Sequence, residues 1–297
     1  QPRSGQRIGS LGMYAMLAHG AKANIREMQT WKSEGEDPRG RWDSQHNEVW
    51  RAIQTGDYIP APKKTFAFQK FENMLKAAAI NVEKKGHNIQ LTPMTDNQVL
   101  AMSAGEIKDP SKVVLSKADK FGDPTPEKGG LFDPHLTGGH GGTKWTHMTL
   151  AEPMPNPVFE GAIKKVLGIK KGDYEQLVEG EKALDLKTGK FVPLDTPRSI
   201  AGGAAIAHML GQIDVKQELV KANKQLTDMK IDGSIAHKDN TPKLDGLYKR
   251  VKYLNALDAA GLTAKDAYVI NHLPILPPAM RPAGFLPDGN VNEADLN

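Results

Sequence analysis

Asp133, His135, His140 and His147 stand close together in the sequence, and a carboxylate with three imidazoles is a donor set that could ligate a metal. Their spacing fits no zinc signature, and the chain has no cysteine to complete a thiolate site. The stretch that carries them, T-G-G-H-G-G-T over residues 137–143, reads better as a flexible turn. It runs on into Gly142, Thr143 and Lys144, which lack both the G-K-[ST] order and the preceding strand of a phosphate-binding loop. Without cysteine there is also no disulfide frame and no redox centre. The chemistry-bearing residue types therefore propose no catalytic constellation of their own.

The elements around them are many and short. The 297 residues hold 39 basic and 35 acidic side chains, a net +4 that is compatible with nucleic acid without demanding it. Mean hydropathy is −0.49 and no run of eighteen apolar residues occurs, which excludes a helical membrane span. No export signal is visible, and a start at Gln1 is expected of a piece of something longer. Helical spacing of Met13, Met16, Leu17, Ile25 and Met28 predicts a helix over 10–32, a core face rather than a cofactor box. A short helix is expected over 48–54. After the linker at 60–62, Thr65 caps a helix whose Phe68, Phe71, Leu75 and Ala78 share a face. Residues 80–83 and 88–91 alternate as a small hairpin ended by Pro93.

A short helix over 95–107 then precedes a stretch, 109–143, that reads as loop. Residues 145–150 form a candidate strand and 153–157 a stiff elbow. A helix over 158–167 stops at Gly168, and 169–198 reads as an irregular charged connector. A long amphipathic helix is expected from Ile206 to about Met229. A second, opened by Thr241 and Pro242, carries Leu244, Leu247, Tyr248, Val251, Leu254 and Leu257. The two should pair as an antiparallel hairpin across 232–240. An apolar strand at 268–276 is stopped by Pro277 and Pro278. The expected class is α+β, mainly helical with many irregular loops, and no closed core can be assembled from these pieces alone.

The C-terminal run is the most specific part: the apolar strand, L-P-P-A-M-R-P over 276–282, a loop with the Asp288-Gly289 turn, then D-L-N at 295–297. It resembles the β′ subunit of multisubunit, bacterial-type DNA-directed RNA polymerase. Other blocks follow in the same order. Residues 5–9 (GQRIG), 13–21 (MYAMLAHGA), 25–28 and 31–32 resemble the end of the β subunit, and 66–91 resembles its terminal helix and strand. Residues 102–108 (MSAGEIK), 127–132 (EKGGLF), 145–153 (WTHMTLAEP), 204–210 (AAIAHML) and 248–254 (YKRVKYL) resemble the beginning of β′. The resemblance thus implies a β–β′ junction: a β C-terminal segment over 1–91, a β′ N-terminal segment with a zipper-like loop over 92–200, and clamp helices and lid over 201–297. The fold it implies is a clamp-base segment with a helical hairpin.

The resemblance also implies where nucleic acid would be met. The loop after Arg281 corresponds to the lid, with Phe285, Leu286 and Pro287 as a stacking face and Asp288, Gly289 and Asn290 as its turn; an ordinary surface turn is the plain alternative. Lys128 and Gly129 fall in the zipper-like loop, where one phosphate could be neutralised and the backbone approach closely, or where the glycines only let Leu131 and Phe132 pack inward. Arg3, Gln6 and Arg7 fall near the switch region, beside the hybrid, or pair with the rest of β. The expected partners are the remaining β and β′ polypeptide, an α-like or sigma-like factor, template DNA and the transcript, in the cytoplasm and with no membrane. No cofactor is expected in this chain; Mg²⁺ belongs to the catalytic part, whose motif N-A-D-F-D-G-D does not occur here.

The departures are informative. The four-cysteine zinc ribbon is missing between the G-L-F and G-H-I blocks, G-E-M-E is replaced by Gly9, Ser10, Leu11 and Gly12, and the lid loses its arginine. A polymerase so reduced is expected of a phage or another mobile element. From other classes stand a free-standing regulator that mimics the junction and an inert linker left by gene splitting.

Overall fold

The computed structural model describes residues 8–36, 42–85, 88–111, 126–139, 141–231, 241–285 and 291–293. The chain divides into two compact units, 1–74 and 75–297. In the first, the expected helix over 10–32 is two helices, α1 (Ser10–Ala18) and α2 (Lys22–Gln29). Gly20, at φ +70°, turns the chain between them, a conformation that carries no penalty for glycine. Strands β1 (Glu34–Glu36) and β2 (Trp42–Ser44) form an antiparallel pair. Helix α3 (His46–Thr55) follows and ends on left-handed Gly56. Gln45, buried before α3, holds the next connection: its Nε2 donates to the Thr30 carbonyl at 3.1 Å and its Oε1 accepts from the Lys63 N–H at 2.6 Å. Thr65 then opens α4 (Phe66–Ala77), its Oγ1 accepting from the Phe68 N–H at 3.4 Å.

The second unit, from Leu75 in the last turn of α4, carries the antiparallel hairpin of β3 (Ile80–Lys85) and β4 (Asn88–Pro93). Helix α5 (Asp96–Met102) starts on a reciprocal capping box between Thr95 and Gln98, and is shorter than the 95–107 expected because Ser103 turns extended. The short helix α6 (Pro134–Thr137) interrupts what reads as loop. Strand β5 (Thr146–Pro155) absorbs the expected elbow as a register shift between Thr149 and Met154. After it come α7 (Glu160–Leu167), closed by left-handed Gly168, and α8 (Lys171–Val178).

Residues 169–198 are not the irregular connector expected. They hold α8 and the strands β6 (Lys182–Asp185) and β7 (Phe191–Pro193), which join β8 (Ser199–Ala201) in a sheet ordered β7-β6-β8. The long helix expected from Ile206 is also two, α9 (Gly202–Gly211) and α10 (Val215–Ile231). Asp214 starts the second, its carboxylate accepting from the Gln217 N–H at 3.0 Å.

Helix α11 (Thr241–Ala260) returns along α10: Val215 and Lys216 border the same depression as Leu257 and Asp258, and Arg250 binds Glu218 at 2.7 Å. The expected antiparallel pairing of these helices therefore stands; the linking residues 232–240 lie outside the described residues. Helix α12 (Ala264–Tyr268) leads into β9 (Val269–Ile275), which pairs antiparallel with β5, and the chain ends on β10 (Ala283–Phe285) paired with β11 (Val291–Glu293).

The class is α+β, as expected. The core of the second unit is closed, contrary to expectation. Ile163, Val166, Leu177, Leu184, Ile206, Leu210, Ala222, Leu254 and Leu257 meet at its centre, drawn from α7, α8, β6, α9, α10 and α11. Burying each large aliphatic contributes roughly 1.5–3 kcal/mol, and Leu177 and Leu184 tie the segment 169–198 into this core.

Candidate nucleic-acid interface

Pro277 and the buried Pro278 stop β9 and set a short 3-10 turn over Pro278–Met280, which delivers Arg281 inward. Arg281 is 1% exposed. Its Nε donates to the Leu276 carbonyl and its Nη2 to the Leu131 carbonyl, each at 2.7 Å. The guanidinium also lies 4.9 Å from the centre of the Phe132 ring. Burial pulls its pKa down to about 10, so the cation persists at neutral pH. The resemblance places Arg281 among the nucleic-acid contacts; in the fold it is an enclosed side chain with two of its donors turned onto backbone carbonyls.

The glycine loop before it is a built turn. Leu131 and fully buried Phe132 pack inward with Ile107, against Met148, Ile275 and Ala283. Asp133, 3% exposed, organises the loop: one carboxylate oxygen accepts from the Gly129 N–H at 2.7 Å and the other from the His135 N–H at 2.9 Å. Burial opposes ionisation of that carboxyl, but the two N–H donors outweigh it, with His135 and Lys128 adding to them, and its pKa lies below the usual carboxylate range. Gly129 sits at φ +82° and its carbonyl accepts from the Asp109 N–H at 3.4 Å. Leu131 and Phe132 fill the interior, as the plain reading of the loop expects, and Lys128 remains exposed.

The hairpin that follows Arg281 has the register Ala283↔Glu293, Gly284↔Asn292, Phe285↔Val291. Phe285 is thus the last paired residue of β10, at the base of the linking residues. Leu286, Asp288 and Asn290 lie outside the described residues, as do Arg3, Gln6 and Arg7.

The donors that invite a metal reading are dispersed. Asp133 serves backbone N–H groups, His140 lies outside the described residues, and His147 stands on β5 with its Nδ1 2.7 Å from Ser103 Oγ. Among the described residues no cluster of three or more such side chains could hold a metal ion.

A polar layer that composition and spacing do not signal lies beside this region. The segment 104–107 adds to β5 through Ala104 N–H to Trp145 O, His147 N–H to Gly105 O and Ile107 N–H to His147 O, at 2.8, 3.1 and 2.8 Å. Thr149 Oγ1 donates to Glu106 at 2.6 Å, and Asp96 accepts from the backbone N–H groups of Asn271 and His272, each at 3.1 Å. Residues 95–107 thus strap across the β5–β9 pair, fastened at one end to β9 and at the other to β5.

No protein-family profile matches the chain. Part of it is similar to DNA-directed RNA polymerase subunit beta: 36% identical over 90 residues in Thermosipho melanesiensis, covering 29% of this chain and 7% of that protein. The subunit of Oenococcus oeni is 32% identical over 119 residues (39% and 9%), and that of Acholeplasma laidlawii 32% over 105 (34% and 8%). The chain spans under a tenth of the length of the curated relatives it matches. These matches relate part of the chain to DNA-directed RNA polymerase subunit beta.

Proposed function

We propose that the chain is a structural segment of a DNA-directed RNA polymerase, spanning the junction between β-like sequence, up to about residue 91, and β′-like sequence beyond it. Its part in transcription is to position template and transcript and to separate them. The observation that carries this reading is the antiparallel hairpin β10–β11, raised directly on the buried Arg281 root and led by Phe285. A wedge needs a stiff stem and an apolar tip. The strand pairing supplies the stem, and the sequence that follows it, Phe285, Leu286 and Pro287, has the apolar side chains that stacking on a base pair requires. Lys128, exposed on its glycine turn, suits a single phosphate contact to duplex DNA upstream. Nucleotide addition, with its Mg²⁺, is supplied by polypeptide carrying the catalytic aspartates, so this chain alone makes no RNA. The remaining β and β′ polypeptide is its partner, and a phage or other mobile element its source.

Deleting residues 284–290 in the assembled polymerase tests the reading. The expected outcome is normal nucleotide addition with transcripts that stay annealed to a single-stranded template as over-long hybrids. Phe285→Ala should show a milder form, the loss of one stacking contact costing about 1–3 kcal/mol. Normal displacement combined with failed addition would refute the lid.

A further inference from the structure

We infer that Arg281 is a positioning residue that locks residues 126–133, with Gly142, and the paired strands β10 and β11 into one rigid body, so that the two proposed nucleic-acid surfaces are set as a pair. The inference rests on the lid reading for its functional meaning, but its physical content stands on the packing alone. The Arg281 Nε donor closes the proline turn onto Leu276, five residues back, while Nη2 reaches Leu131, 150 residues away. A guanidinium can do both because its donors diverge in a fixed plane; a lysine ammonium is a single point and cannot span two carbonyls on different segments in the same way. The Phe132 ring closes one face of the cation.

A second stitch runs in parallel, from the Ala279 N–H to the Gly142 carbonyl at 3.0 Å. The connections on either side are short. Pro282 alone separates Arg281 from Ala283, the first residue of β10, and Ala283 packs on the cluster that holds Leu131 and Phe132. On the other side Gly129 and Gly130 alone separate Lys128 from Leu131, and Asp133 fixes the Gly129 turn. A displacement of the hairpin root is therefore carried through Leu131 to Lys128 without a slack residue between them. Arg281 would then govern strand separation without touching either strand.

The test uses the assembled polymerase with Arg281→Met, which keeps bulk and removes every N–H donor, and Arg281→Lys, which keeps the charge but loses the divergent fork that reaches both carbonyls. Amide hydrogen exchange is followed at residues 129–133 and at 283–285 with 291–293, beside nucleotide-addition rate and hybrid length. Arg281→Met should speed exchange in both segments together, on the order of tenfold or more, since it removes two charge-assisted bonds. Arg281→Lys should give a smaller but equally paired increase, and it carries the test if the methionine variant fails to assemble. Hybrids should lengthen in step while the addition rate holds, a split that mere loss of folded protein would not produce. Exchange that rises in one segment only, or in neither, overturns the inference. Paired loosening with normal RNA displacement leaves the coupling standing and overturns the lid.

Discussion

At the scale of single residues the packing makes two glycines obligatory and leaves a third free. A Cβ on Gly203 would lie 1.9 Å from the Pro153 carbonyl oxygen, and one on Gly142 would lie 1.9 Å from that of Thr137. Both obstacles are backbone and cannot swing aside, whereas a Cβ on Gly284 meets nothing within 4 Å. Gly203→Ala and Gly142→Ala should therefore each destabilise the chain by about 1–3 kcal/mol, and Gly284→Ala should not, as thermal melting will show. Asp133 gives a second expectation. Its folded pKa is depressed, so its contribution is present above the unfolded value of roughly 3.9 and is lost as pH falls through the folded one. Asp133→Asn should remove that acid-side loss and, by leaving one of two N–H donors unserved, speed exchange at Gly129 or His135. Neither role is visible in the sequence, where Asp133 stands beside histidines and invites a metal. Arg281 is illegible for the same reason: no local pattern says that its partner is a carbonyl 150 residues away.

At the scale of elements, what can be read is what is local. Gly168 as a helix stop, Thr95 with Gln98 as a helix start and the β3–β4 hairpin all follow from neighbours within a few residues. The sheet β7-β6-β8 escapes because its strands are three or four residues long. Only Ala183 and Leu184 of β6 are buried, too few to show a period, and their pairing with β8 is set by the core beneath. The break between α9 and α10 was legible in principle, since Asp214 three residues before Gln217 is a helix-start signal, but the apolar stripe runs through it unbroken. The strap over 95–107 carries the pH prediction for this scale. Burial first, then the charge of His272, hold the His147 pKa below its usual value, and Glu106 opposes them. Lys108 and Asp96 complete the charged groups facing this layer. Since His147 is favoured neutral in the folded state, its contribution is complete above the unfolded pKa of roughly 6.5 and declines as pH falls below it. Exchange at Ala104 and Ile107, corrected for intrinsic rate, should therefore accelerate between about pH 6.5 and 5. His147→Gln, which cannot protonate, should flatten that dependence.

At the scale of the whole molecule the two units differ in how much of their apolar content is covered. The second carries its own closed core, while the first leaves much of its apolar content in water: Leu11 is 81% exposed, Tyr14 65% and Tyr58 94%, with Leu17, Trp50 and Ile53 about half exposed. Helix α1 has no buried residue at all, although it is apolar on every side. A helix apolar all round is stable in water only when something covers it, and large contiguous exposed apolar surface in a soluble chain marks an interaction face. That is the behaviour expected of a segment that completes its packing on further polymerase polypeptide. The full chain should therefore bind a hydrophobic dye and associate with itself in dilute buffer, yet still show a cooperative melt from the second unit. Replacing Leu11 and Leu17 by lysine should cut the dye signal severalfold and leave that melt within about 0.5 kcal/mol, the range of surface substitutions. In the assembled polymerase the same pair should weaken incorporation of the chain, because two lysines would then be pressed into an apolar contact. A melt lost along with the dye signal would show that α1 belongs to the folding core of the chain, and full incorporation of the double variant would show that its face meets no partner.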